Sequence, residues 1–208
     1  MSIVTYNNRS IANISAVPGA AKSLTHIKTL TASSSGTLSF LNGSDDVVFD
    51  STYPIYLFKF ISCHPGTNGA RLAFQVDTGT NTNYNITATS TYFNAYHKED
   101  DSATALAYNE SHDDGQSTSF LNLTVQNSNN NDSCASGTLH IFDPSNSTFV
   151  KHFISRFNIM YEETGGDEYS YECYKGGYFN TTTALTRFRF KYSTGNIDAG
   201  TIKMYGVV

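Results

Sequence analysis

Apolar and polar residues alternate with a period of two in several short windows, the pattern of strands buried on one face. Thr37-Leu38-Ser39-Phe40 alternates cleanly, and Phe120 to Val125 aims Leu121, Leu123 and Val125 to one side. Arg71 to Asp77 (RLAFQVD) sets Leu72, Phe74 and Val76 on one face and Arg71, Gln75 and Asp77 on the other. Ile55 to Ile61 (IYLFKFI) is apolar on both faces apart from Lys59, as a central strand would be. Leu139 to Phe142 and Phe149 to Tyr161 follow, the second long enough to need a bend or bulge. The sharpest signal is C-terminal. In Arg187 to Tyr192 (RFRFKY), Phe188, Phe190 and Tyr192 share a face opposite Arg187, Arg189 and Lys191. Ser193-Thr194-Gly195-Asn196 is a turn sequence and Thr201 to Val207 alternates again, so these two runs are expected to pair as a hairpin. A one-residue slip would exchange three aromatics for three cations, so register here is strongly specified.

About eight to ten strands at this spacing, without a helical period, predict an all-β chain: a jelly-roll-like antiparallel β-sandwich over residues 23–208. Residues 1–22 lack sustained alternation and contain the Pro18-Gly19 breaker, so they are expected to form a short extended arm or anchor. No repeat of propeller or solenoid length is present. His97 to Ser117 (HKEDDSATALAYNESHDDGQS) is acidic and irregular, and is expected to be a surface loop.

Composition sharpens this picture. Charged residues make up 15% of the 208, so solubility rests on Asn, Ser, Thr and Gly, which also favour turns. Fourteen Tyr, fourteen Phe and no Trp suit strands. The net charge of −5 gives no electrostatic reason to expect nucleic acid. No run of apolar residues is long enough for a membrane span. Met1 to Ala20 carries one Arg and no apolar stretch, so a Sec signal peptide is not expected there. Cys63, Cys134 and Cys173 form no CxxC pair and read as buried free thiols of a protein assembled inside a cell. The Asn-x-Ser/Thr triplets, from Asn8, Asn13 and Asn42 onward, follow from an Asn- and Thr-rich composition rather than from glycosylation.

Candidate chemistry is sparse. Glu99, Asp100, Asp101, Glu110, Asp113 and Asp114 lie near His97 and His112, which suggests an oxygen-rich Ca²⁺ site or, more simply, a solvated loop whose charge deters sheet-edge pairing. Their spacing is not that of an EF-hand. Acids for glycoside hydrolysis crowd into a turn-like stretch, Glu162 to Glu168, expected to be an exposed hairpin loop. Phosphate-loop, dinucleotide and GxSxG signatures are absent, so no catalytic residue, metal or cofactor is assigned. Two groups remain as candidate interaction surfaces: the basic row Arg187, Arg189 and Lys191, and the tyrosines Tyr169, Tyr171 and Tyr174. The first is equally the solvent face of a strand. The second offers rigid amphipathic contact area, for a subunit interface or a sugar-facing patch.

Several stretches together resemble a known group. FDSTYPIYLFKFISCHPGTNGARLAFQVDTGTNTNYN, AYHKEDDSATALAY, SGTLHIFDPSNSTFVKHF and the closing FRFKYSTGNIDAGTIKMYG are similar to the virion structural proteins, tail or capsid appendages, of marine tailed phages of the cyanophage and pelagiphage type. The likeness runs over residues 24–208, with Thr78-Gly79-Thr80-Asn81-Thr82 standing where that group carries a charged Gly-Gly turn. It implies a jelly-roll-like particle component, often trimeric, and no catalytic residues. The expected function is therefore a non-enzymatic virion surface protein assembled in the host cytoplasm. It would bind neighbouring capsid or tail subunits as a decoration or cement protein or a short appendage. The alternative is a tail-fibre or receptor-binding protein whose loops contact a host cell-surface glycan or protein.

Overall fold

A computed structural model describes residues 23–163 and 166–208; the arm expected over 1–22 lies outside them. The chain forms β1 (Leu24–Thr31), β2 (Leu38–Leu41), β3 (Ile55–Pro65) and β4 (Leu72–Thr78). Then come β5 (Ala88–Lys98), β6 (Thr104–Tyr108), β7 (Asp114–Ser117), β8 (Leu121–Asn122) and β9 (Ala135–Phe142). The last four are β10 (Lys151–Glu163), β11 (Asp167–Phe179), β12 (Leu185–Tyr192) and β13 (Ile197–Val207). No helix occurs among the described residues, as the alternating pattern predicted.

The hydrogen-bonding order defines the architecture. One sheet contains β1-β13-β3-β9 and the other is β2-β12-β4-β8, all antiparallel. First strand pairs last, second pairs penultimate, and the ribbon so formed wraps on itself, which is the jelly roll. Two insertions enlarge it. Residues 79–120 add β5, β6 and β7, and residues 143–184 add the hairpin β10–β11. All five extend the first sheet past β9, giving nine strands against four.

Aromatic residues lock the two sheets. Phe190 of the small sheet lies 5.2 Å from the Phe58 ring and 5.1 Å from the Phe60 ring of the large one. Phe60 continues to Phe157 at 4.9 Å, and Phe74 meets Phe153 at 5.3 Å. Each fully buried ring is worth roughly 1.5–3 kcal/mol relative to solvent. This interior accounts for the strength of the alternation in RFRFKY.

Four expectations need correction. β12 and β13 do not pair: they sit in opposite sheets, and the turn at 193–196 crosses between them. Both alternate because both face one core, and alternation cannot distinguish a strand's neighbour from the strand it faces. The long run to Tyr161 has neither bend nor bulge, since β10 keeps unbroken register with β9 and β11. Gln75 and Asp77 are buried rather than solvent-facing. The first insertion folds over the outside of β4: Gln75 Nε2 donates to Ser119 O at 2.8 Å, and Tyr84 N donates to an Asp77 oxygen at 2.9 Å. Lastly, the acidic segment 97–117 is no simple loop, because it contributes β6 and β7 to the sheet.

Candidate functional site: a tyrosine-lined cleft between the insertions

The small sheet is too narrow to cover the nine-stranded one. Beyond β9, the inner face of the large sheet is covered by connecting chain around residues 109–113 and 123–128 instead of by the small sheet. Such cover carries backbone and side-chain polar groups, so buried residues facing it must find partners there. Lys175, wholly buried, donates from Nζ to Asp114 Oδ2 at 2.6 Å and to the His112 carbonyl at 2.7 Å. Burial lowers the pKa of its ammonium while Asp114 opposes that shift. The pair ties the turn before β7 in the first insertion to β11 in the second.

Next to this clamp, a chain of hydrogen bonds has its direction fixed by an arginine. Arg71 Nε can only donate, and it lies 3.1 Å from His112 Nε2. His112 therefore carries its hydrogen on Nδ1, which donates to Asn109 Oδ1 at 3.1 Å. The same oxygen accepts from Ser111 N at 3.1 Å. Asn109 Nδ2 in turn donates to Asn94 Oδ1 at 3.1 Å. Burial, then the charges of Arg71 and Lys175, push the His112 pKa down to about 4, so the ring is neutral at pH 7. The chain ends on the Asn94 amide nitrogen, which has no hydrogen-bond acceptor among the described residues although Asn94 is only 6% exposed.

Asn94 opens into a cleft of about 380 Å³ bounded by both insertions and by the chain after β8. Tyr96 from β5, Tyr161 from β10, and Tyr169 and Tyr171 from β11 form its walls. Their placement follows from cross-strand register, because Tyr171 opposes Tyr96 and Tyr161 opposes Tyr169 on one face. The Tyr96–Tyr171 rings are 5.0 Å apart and the Tyr161–Tyr171 rings 5.6 Å, edge to face. Asn109 and Gln126 complete the polar rim, and among the described residues no carboxylate, ammonium or guanidinium lines the cleft. The cleft can therefore bind through aromatic faces and neutral amides. Its one titratable imidazole is held on both nitrogens.

The structure divides the sequence-derived candidates. Tyr169 and Tyr171 enter the cleft, while Tyr174, one strand position out of phase, lies on the opposite face. There it stacks on Phe93 at 4.8 Å and 8°, with the Arg156 guanidinium 5.5 Å from its ring. Arg187, Arg189 and Lys191 line the outside of the small sheet and are half-covered. Arg189 lies 3.8 Å over the Tyr84 ring and donates to Ser39 Oγ at 3.1 Å, and Lys191 is 5.0 Å from the Phe120 ring. Arg187 Nε reaches the Gly79 carbonyl at 3.4 Å. The cations thus hold the first insertion against the sheet.

The acidic residues do not converge. Asp100 pairs with Lys98 at 3.0 Å, Asp101 with His97 at 3.1 Å and Asp113 accepts from Tyr108 at 2.6 Å, while Asp114 is engaged by Lys175. Among the described residues no three His, Cys, Asp or Glu side chains meet as a metal site. All three cysteines are free, and burial raises the Cys63 thiol to about 12.

Sequence reasoning missed Asn94, Tyr96, Asn109 and Gln126. The alternation of STYFNAYHK was a usable signal for Asn94 and Tyr96. Nothing local shows that β5 pairs with β11, some eighty positions later. No family model, curated protein or solved structure matches the chain.

Proposed function

We propose that the chain is a non-enzymatic structural protein on the surface of a tailed-bacteriophage virion. There it binds neighbouring capsid or tail subunits as a decoration or cement protein or a short appendage, itself assembled as a trimer. The observation that carries this reading is the outer face of the nine-stranded sheet. Tyr108, Phe93 and Tyr174 form one cross-strand row over β6, β5 and β11. Leu106, 73% exposed, and Ile154, 56% exposed, extend the apolar surface on either side. Exposed apolar patches of this kind mark contact surfaces. The likeness of residues 24–208 to phage structural proteins supplies the particle as the setting.

Purified particles are expected to contain the chain, with antibody label falling on one exterior structure: shell, vertex or tail. Its absence from purified particles would overturn the proposal. Sedimentation of the isolated chain is expected to give a mass well above that of a monomer, and a clean monomer at micromolar concentration would count against the trimer.

A second reading is favoured by the cleft between the insertions. As a tail-fibre or receptor-binding protein, the chain would contact a host cell-surface glycan or protein there. Deleting the chain would then abolish host adsorption and leave capsid stability unchanged, the outcome that removes the cement role.

A further inference from the structure

We propose that the cleft binds an uncharged saccharide, packed against the wall that Tyr96 and Tyr171 form and hydrogen-bonded by the Asn94 and Gln126 amides. The inference rests on the receptor reading of the same cleft and names its ligand class. Three features single out that class.

Among the described residues the lining is free of formal charge. Tyrosines, amides and a neutral His112 face the cavity, so neither a phosphate, a carboxylate nor a cation would find a counter-charge there. A ligand recognised by such a wall is polar and neutral.

The aromatic residues present both apolar face and polar edge. Tyr96, Tyr161, Tyr169 and Tyr171 keep ring-centroid spacings of 5.0–6.0 Å, which holds them as a rigid wall with little rotamer freedom left to lose. Pyranose rings offer C–H faces that pack on such rings while their rim hydroxyls remain to be satisfied. A wholly apolar ligand would fill the same space and leave the amides desolvated and unpaired, which selects against it.

The polar groups are pre-set. The sequence Arg71, His112, Asn109, Asn94 leaves Asn94 Nδ2 as a donor aimed into the cleft without an acceptor among the described residues. The half-buried Gln126 amide makes no side-chain hydrogen bond among them either and offers both a donor and an acceptor. A sugar hydroxyl donates and accepts at one atom, so it satisfies both amides. With a volume of about 380 Å³, near the lower end of small-molecule sites, the cleft admits the end of a glycan rather than an extended stretch.

The test uses the full chain and saturation-transfer NMR with glucose, galactose, mannose and N-acetylglucosamine, alongside galacturonic acid and sialic acid as charged counterparts. Transfer to the ring C–H protons of at least one neutral sugar is expected, with the acids weaker. Tyr171→Ala and Gln126→Ala should each weaken binding by about tenfold. Gln126→Ala should melt with the parent protein, so its loss of binding cannot be assigned to unfolding. No transfer to any neutral sugar at tens of millimolar, a preference for the acids, or undiminished binding by Gln126→Ala would overturn the proposal. The two claims fail separately. Particles carrying Gln126→Ala that adsorb normally, while the isolated variant has lost sugar binding, would remove the receptor reading and leave the saccharide site standing.

Discussion

Two parts of one interior are built by opposite rules. Around Phe190 the large sheet faces the small one, and strand meets strand through apolar side chains, rings foremost. Around Lys175 the same sheet faces a turn, and the buried positions hold an ammonium, a carboxylate and an amide. Alternation decides which side of a strand is buried. The chemistry of the cover decides whether an aromatic or a polar residue belongs there. A facing strand has its backbone hydrogen bonds in its own plane and offers only side chains. A covering turn offers carbonyls and N–H groups, and these reward a buried donor with correct geometry.

The largest test of this contrast is Phe190→Ala. It removes a ring that touches Phe58, Phe60, Phe40 and Phe74, and should cost about 3–5 kcal/mol with unchanged cooperativity in urea. For a chain of this length that lowers the melting temperature by roughly 10 °C. A loss under about 1 kcal/mol would mean that the two sheets are not locked through this ring.

Asp114→Ala comes next. It strands Lys175 without its counter-charge and should destabilise by about 3 kcal/mol, the penalty of an unpaired buried ion. The damage should be local, with amide exchange rising over residues 109–117 before the core strands open. Lys28→Ala, which breaks the exposed 2.8 Å pair with Asp45, should cost less than about 1 kcal/mol. If the two variants lose equal stability, the polar interior at Lys175 is no more than a surface salt bridge in effect.

How far the sequence reveals this molecule follows the same division. Where strands face strands, the period of two located the runs around β2, β4, β12 and β13 and the faces they turn to the core, and an apolar run on both faces located β3. Pairing partners were hidden, because Phe188 and Phe190 fit equally well beside a neighbour or across from one. The jelly-roll order comes from contacts between distant parts of the chain, such as β1 with β13. In the insertions the signal was weaker still. HKEDDSATALAYNESHDDGQS reads as an acidic loop, yet Asp114 is spent on Lys175, and His112 is buried against Tyr92 at 5.1 Å. Of the cleft, the density of tyrosines from 161 to 178 was legible. That Tyr174 faces away from Tyr169 and Tyr171 follows from parity once β11 is known to be regular. Asn94 and Gln126 required the fold.

Acid should distinguish the two regions without any substitution. The unfolded chain binds a proton at His112 near pH 6.5, whereas the folded chain resists protonation until about pH 4. Between those values the unfolded state holds more protons, so stability present above pH 6.5 declines as pH falls and levels off below about 4. Protonation also puts a hydrogen on Nε2, which faces Arg71 Nε and can no longer accept from it. His112→Gln is expected to flatten this limb of the stability–pH curve while leaving the Phe190 region unaffected. An unchanged slope between pH 6.5 and 4 would show that His112 does not carry it.

A modest stability effect should come from the other side of the same strand. Tyr174 is half-exposed and rests on Phe93 and Arg156, so Tyr174→Ala gives up a surface stack worth about 0.5–1.5 kcal/mol. Tyr171, three residues earlier, faces the cleft and its tyrosine neighbours. If the outer face of the large sheet is the subunit surface, Tyr174→Ala should lower the sedimenting mass toward the monomer and leave sugar binding intact. Tyr171→Ala should do the reverse. A Tyr174→Ala protein that keeps its assembly state would move the subunit contact away from this row.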